Sequence, residues 1–376
     1  MSEAIGDRVR ARIQDSGRTQ LEVATASGMK PDALSRAING ARSFGALELA
    51  NLADQLHTSL RWLATGEDDP WSTRMAARHS FDHGTRVHEQ VDWSRSESQL
   101  EAVALAIRQV VDDLPASPPS IPEDPMEVRR CLETAGGPDF VRQLAELIER
   151  CFHVHVVRMD GLDRAYSLLV GDHAAIVTSD TPNWFFQNWS LAHELWHLAG
   201  RRMSARTEGI ANSATEARAN AFAAELLLPE EELRSVDWST VDLGAVATFI
   251  WEHGVSTDAL RRRLKKLGLL DDEKLGTALE TSTQRFLRSH FTDADHQPGI
   301  DLISLRMEQA SSRRFPLGLI SAHAEAVAAG RLRASTLAWM LDADEAELEA
   351  EVGPAPVGSQ ISDSELEARL GRAIDA

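Results

Sequence analysis

Apolar residues recur at helical spacing over Ile5–Asp15, Thr19–Ala26, Lys30–Ile38, Ala46–Leu56 and Thr58–Ala64, a pattern that predicts five short helices. Glycines punctuate them: Ser27-Gly28 ahead of the third, Asn39-Gly40 behind it, and Gly66 at the exit into Glu67-Asp68-Asp69-Pro70. Pro31 falls near the start of the third helix, where a first-turn proline is tolerated. Residues 71–113 read as partly helical, most strongly over Ser96–Asp113. Leu114–Pro125 (LPASPPSIPEDP) then holds five of the chain's 14 prolines, which reads as an extended, semi-rigid spacer and a domain boundary.

Beyond the spacer, Met126–Arg150 resumes the helical period and breaks at Gly136-Gly137-Pro138. Residues 152–158 and 165–178 read as strands, the second stretch turning at Gly171-Asp172. Asn188–Gly200 and Thr215–Leu228 are helical, the latter closed by Pro229, and Val236–Leu270 supplies at least two more helices ending in RRRLKK. From Asp271 onward the pattern is helical, with loops near Asp293–Pro298 and Val352–Ser359. The expected fold class is mainly α with a small β-sheet (α+β). Expected boundaries fall at 1–69, 70–125, 126–270 and 271–376.

Composition narrows the function classes. At 43% hydrophobic and 26% charged, the chain is neither disordered nor fibrous as a whole. No apolar run reaches the ~18 residues of a membrane span, and MSEAIGDRVRARIQ places charges where a signal peptide needs apolar residues. Cys131 and Cys151 are too few for a disulfide framework, so a cytoplasmic home is expected, with no membrane partner. The net charge of −19 disfavours coating nucleic acid along the whole surface. Residues 1–64, however, carry eight basic against seven acidic groups, so the negative charge belongs to the rest. A near-neutral head on an acidic body suggests two jobs in one chain.

The sharpest chemical signal is His193-Glu194-Leu195-Trp196-His197, an H-E-x-x-H within the apolar helix WSLAHELWHLAG. Positions i and i+4 lie about 40° apart around a helix, so both imidazoles project from one face and can bind one zinc ion. Glu194 can then reach a water at the open position and act as general base. A catalytic zinc site wants a third protein ligand. Glu216, 19 residues after His197 on a second helix, can fold back to complete a His₂Glu set. Glu225 competes, but it lies nine residues further on, so both cannot face one metal. Glu230, Glu231 and Glu232 read as a solvated start to the next segment. Asn220, one turn beyond Glu216, is either a support for the metal ligands or a helix–helix hydrogen bond.

Tyr166, His173 and Arg201 are weak candidates for stabilising an oxyanion. His153 and His155 alternate on a predicted strand and read as packing or surface residues. His79 and His83 have helical spacing that could hold a metal, and with His88 they are discounted.

AHELWHL followed by E-x-x-x-N-x-F-A-A-E-L-L-L-P resembles the ImmA/IrrE family of zinc metallopeptidases, over residues 151–270. The resemblance implies a compact gluzincin-like α+β core, with Zn²⁺ on His193, His197 and Glu216 and with Glu194 as catalytic base. In the head, TQLEVATASGMKPDALSRAINGAR over residues 19–42 has helix-turn-helix proportions. Gln20, Ala24, Gly28, Leu34, Ser35 and Gly40 fit the XRE-type, lambda-repressor-like five-helix domain, which the head resembles from Ile5 to about Gly66. Thr19–Ala26 would be the positioning helix and Lys30–Ile38 the recognition helix. Lys30, Asp32, Ser35 and Arg36 would face base edges or phosphates, and Gln20 and Arg42 the DNA backbone. A head of net charge +1 grips DNA weakly, so dimerisation is expected to supply affinity; the other reading of the head is a protein-binding helical domain. Residues 271–376 diffusely resemble the helical tails of such fused proteins. Within them LRASTLAWMLDADEAEL could form a further small helix-turn-helix-like unit, and DADEAELEAEV reads as a solvated helix face.

The expected function is a transcriptional regulator that binds a double-stranded DNA operator as a homodimer. Its zinc endopeptidase would cleave a helix-turn-helix repressor and so derepress stress or mobile-element genes. The alternatives are a transcription factor whose peptidase-like core senses a ligand without proteolysis, and an antitoxin-type repressor.

Overall fold

The computed structural model describes residues 5–56, 58–66, 73–77, 96–115, 119–200, 204–205, 213–270, 272–292 and 301–353. They form a mainly helical α+β chain with one mixed sheet. Contacts divide it into two compact units, Met1–Arg108 with Ala116–Arg314, and Gln109–Pro115 with Phe315–Ala376.

The head is a run of five helices, α1 (Ile5–Asp15), α2 (Gln20–Ala26), α3 (Pro31–Ile38), α4 (Ala46–Gln55) and α5 (Leu60–Thr65). Local chemistry sets their ends. The Thr19 hydroxyl accepts from the Glu22 N–H while the Glu22 carboxylate accepts from the Thr19 N–H at 2.7 Å, a reciprocal cap on α2. Gly28 and Gly40, at φ 70° and 72°, take the left-handed conformation that lets the chain turn before and after α3. Val23, Leu34, Ile38, Leu52 and Leu63 fill the core between the helices. The buried Arg8 closes α5 onto α1, donating to the carbonyls of Leu63 (2.9 Å) and Ala64 (2.8 Å).

The sheet comprises β1 (Thr73–Ala77), β2 (Val154–Met159), β3 (Tyr166–Val170), β4 (His173–Ser179) and the two-residue β5 (Ser204–Ala205), in the order β2-β4-β3-β1-β5. Only the β2–β4 pair is parallel, in the register Val156 to Ile176. β3 and β4 form the hairpin expected at Gly171-Asp172, with Ser167 opposite Ile176. β1 adds a strand to the stretch 71–113, which reads from sequence only as partly helical. TRMAA carries no strong strand pattern of its own, and pairing with β3, Arg74 opposite Leu169, makes it a strand. Among the described residues of that stretch, helix is found where it is expected most strongly, in α6 (Glu97–Gln109) and a 3₁₀ turn at Val111–Asp113.

The further helices of this unit are α7 (Pro125–Gly136), α8 (Leu144–Phe152), α9 (Trp184–Ala199), α10 (Ser213–Leu227), α11 (Glu230–Ser235), α12 (Leu243–His253), α13 (Thr257–Leu267), α14 (Glu273–Ala278), α15 (Thr283–His290) and α16 (Leu302–Ser311), of which α8 packs on β2 and α9 on β3 and β4. One core joins Val156, Leu169 and Ile176 of the sheet to Leu195 of α9 and Phe222 of α10. α8 runs to Phe152 and ends on His153 in the left-handed conformation (φ 55°), so His153 is an exposed helix cap and does not share a strand with His155.

α9 begins at Trp184, four residues before the expected start, because its first turn is pinned by tertiary hydrogen bonds. Gln187 donates to the carbonyls of Ser179 (3.0 Å) and Ala310 (2.8 Å), and Asn188 to that of Gly254 (3.0 Å). The C-terminal turn of α10 is held by two buried arginines, Arg129 donating to the Leu226 carbonyl (3.0 Å) and Arg263 to that of Leu228 (3.2 Å). Glu225 pairs with Arg263 and accepts the Glu230 N–H. Glu230, Glu231 and Glu232 open α11 as a largely solvated turn, and Glu232, still 41% exposed, also bonds Arg129 and His253, each at 2.8 Å.

In the second unit, α17 (Leu317–Ala328), α18 (Ser335–Leu341) and α19 (Glu345–Val352) bury Leu319, Ala326 and Leu337, and Phe315 packs edge-on against Trp339. Arg331 pairs with Asp113 at 2.8 Å. α19 exposes its glutamates and buries only Leu348, the solvated face its acidity implied. No helix among the described residues is long and apolar enough to cross a membrane.

Arg263→Met is expected to cost about 1–3 kcal/mol in urea unfolding, because the buried Leu228 carbonyl loses its donor. Arg288→Gln, which breaks an exposed pair with Asp301, should stay within about 1 kcal/mol. Equal effects would contradict the capping role.

Candidate metal centre and head surface

One turn of α9 stacks His193 and His197, with Nε2 atoms 3.3 Å apart. α10 packs along α9 and brings Glu216, in its first turn, against both: Oε2 lies 3.2 Å from His193 Nε2 and Oε1 3.4 Å from His197 Nε2. All three are buried, and among the described residues they form the one group of three or more His, Cys, Asp or Glu with its donor atoms within 4.8 Å of one another. Donors bound tetrahedrally at roughly 2.0–2.1 Å from one zinc stand roughly 3.3 Å apart. The residues therefore fit a single ion. Burial works to raise the Glu216 carboxyl, and the hydrogen bonds from the two imidazoles outweigh it and hold it below the usual carboxylate range.

Asn220, one turn after Glu216, unites its two sequence readings. Its Oδ1 lies 3.3 Å from His193 Nδ1 and 3.4 Å from Trp189 Nε1, so it ties α10 to α9 and also orients the imidazole. A tautomer with Nδ1–H donating to Asn220 would leave the Nε2 lone pair free for a metal.

Glu194 is fully buried beside this group. Its Oε2 accepts from the Ser167 hydroxyl at 2.5 Å, and its Oε1 has no hydrogen-bond partner among the described residues. Burial raises its carboxyl above the usual range despite the imidazoles and Ser167. Ser167 escaped the sequence reading; its one signal was a hydroxyl amid the apolar run AYSLLV. Its neighbour Tyr166 points away by strand alternation. The Tyr166 hydroxyl donates to Asp163 (2.6 Å), and burial followed by that carboxylate pushes the phenol up, so Tyr166 does not serve the metal group. His173 stacks on His155 with ring centroids 6.1 Å apart and does not join the group either. Of the two carboxylates that cannot face one metal, Glu216 joins the imidazoles and Glu225 is taken by Arg263. Arg201, His79, His83 and His88 lie outside the described residues.

In the head, Lys30 precedes the first turn of α3 without a side-chain capping bond, and Asp32 and Arg36 are exposed on the helix; Ser35 and Gln20 are half-buried. Arg42 is engaged internally, donating to the Ala33 carbonyl (2.9 Å) and pairing with Glu48 (2.7 Å), so it braces the loop after α3.

Fold and site together describe a helix-turn-helix head joined to a metallopeptidase-like α+β core. Residues 9–63 match the family model described as helix-turn-helix, and residues 151–265 match that of peptidase family M78, described as IrrE N-terminal-like domain. These matches agree with the fusion expected from the sequence. No curated protein sequence matches the chain.

Asn220→Ala is expected to weaken zinc affinity about 10- to 100-fold with the fold retained, measured by competition with a chromophoric chelator. An unchanged affinity would reduce Asn220 to a helix–helix contact.

Proposed function

We propose that this chain is a cytoplasmic, DNA-binding transcriptional regulator whose core is a zinc-dependent endopeptidase. The carrying observation is the buried His193–His197–Glu216 group with the Glu194 carboxylate beside it. His193, His197 and Glu216 would hold zinc, which when bound supplies Lewis acidity and a more acidic water. Asn220 and the α9–α10 contact orient the donors. Ser167 holds one oxygen of Glu194, and the other is left to take a proton from water and return it to the leaving amine. The raised carboxyl of Glu194 suits a group that carries that proton in both directions.

The substrate proposed is a helix-turn-helix repressor. The head would bring the chain to a double-stranded operator through Lys30, Asp32, Ser35 and Arg36 on α3, with Gln20 at the start of α2 toward the DNA backbone. Arg42 would act on DNA only by shaping the loop that Glu48 and Ala33 fix. The near-neutral charge of the head supports a homodimer, because two heads on one operator compensate for weak single contacts. Tethering on DNA would raise the local concentration of the peptidase beside a repressor on the same segment.

The test compares new protein N-termini in cells expressing the wild type or Glu194→Gln, by mass spectrometry. The expected result is a cleaved DNA-binding protein present only with the wild type. Identical N-termini under several stresses would sink the peptidase reading.

A further inference from the structure

A cavity of about 440 Å³ opens between β2, α8, α9 and α16. In a chain of net charge −19, five arginines line it (Arg142, Arg158, Arg306, Arg313 and Arg314) against one carboxylate, Glu146. Other carboxylates account for part of that charge. Arg314 pairs with Glu146 (3.2 Å) and Glu149 (2.8 Å), Arg313 with Asp160 (3.5 Å), and Arg142 reaches Asp139 only at 3.8 Å.

Arg158 and Arg306 are different, for neither forms an ion pair among the described residues. Arg158 donates from Nη1 to the Gln309 carbonyl (2.7 Å), while its buried Nε has no hydrogen-bond partner. A backbone bridge to Arg314 holds these two like charges side by side. Arg306 donates to the Trp251 carbonyl (3.1 Å) and lies over the rings of Trp184 and Trp251 at 5.1 and 4.9 Å. Glu146 and Asp180 act on Arg158, and Asp139 on Arg306, only from beyond ion-pair distance, so both half-buried guanidiniums lack a close counter-charge, which is costly.

We propose that this cavity binds a small organic phosphate. A phosphomonoester brings roughly 1.5 to 2 negative charges to the two guanidiniums that form no ion pair among the described residues, and its oxygens suit planar guanidinium forks. The volume falls within the ~300–1,000 Å³ of small-molecule sites and leaves room for an organic body beside the phosphate. The site is separate from the metal group. Its contributions from α9 are Trp184, Gln187, Asn188 and Leu191, one helical stripe, and His193 follows Leu191 by roughly 200° around the axis. Cavity and metal group thus occupy opposite faces of one helix, and the inference does not depend on proteolysis.

Isothermal titration of the full chain in 0.15 M KCl would use AMP and glucose 6-phosphate, with adenosine, glucose and glutarate as phosphate-free counterparts. Saturable binding of at least one phosphate is expected, with none for its neutral partner or for glutarate. Arg158→Gln should weaken it tenfold or more, and Arg36→Ala in the head should leave it unchanged. Should Arg158→Gln fail to fold, Arg142→Ala, at the more open rim, should weaken binding at least threefold. Overturning results are no saturable binding of either phosphate, binding by glutarate alone, or loss with Arg36→Ala while Arg158→Gln still binds.

Discussion

The contact of α10 along α9 is the constraint on which the rest of the core depends. Two imidazoles one turn apart lie on one face of any helix, but a carboxylate reaches them only if a second helix is held at one axial position. A slip of one residue would turn Glu216 away by about 100°. Both helices are pinned at the end remote from the group. Gln187 and Asn188 fasten the first turn of α9 to backbone carbonyls, and Arg129 and Arg263 fasten the last turn of α10. Between these anchors, Asn220 bonds across the helix pair. The sheet supplies the floor, and through Ser167 it also touches Glu194.

What was legible in the sequence follows from the range of each interaction. The five head helices could be read because their ends are set within a few residues, by Thr19 with Glu22 and by Gly28 and Gly40. The α9 motif is local in the same sense, and counting turns showed that Glu216 and Glu225 cannot both face the two imidazoles, while the choice between them rests on the distant Arg263. Features set by distant partners were not legible. β1 is a strand because β3 is beside it, Glu232 is tied down by Arg129 and His253, and Ser167 meets Glu194 across 27 positions of chain. His153 was misread because the limit of α8 decides whether it is a cap or a strand residue.

The charge distribution carries a second lesson. The near-neutral head uses part of its positive charge internally, with Arg8 on helix-end carbonyls and Arg42 on Glu48. In the acidic remainder, arginines brace α10 at one place and converge on a cavity against α9 at another. Composition alone, at −19, hides this segregation. α9 is the element that the metal group and the cavity share.

X-ray absorption at the zinc edge of the purified, zinc-loaded chain tests the central claim most directly. The account predicts two imidazole nitrogens at about 2.0–2.1 Å with the remaining ligands oxygen, and an imidazole signal reduced by half in His197→Ala. A sulfur shell at about 2.3 Å, or a spectrum unchanged by His197→Ala, would place the metal elsewhere and contradict the account.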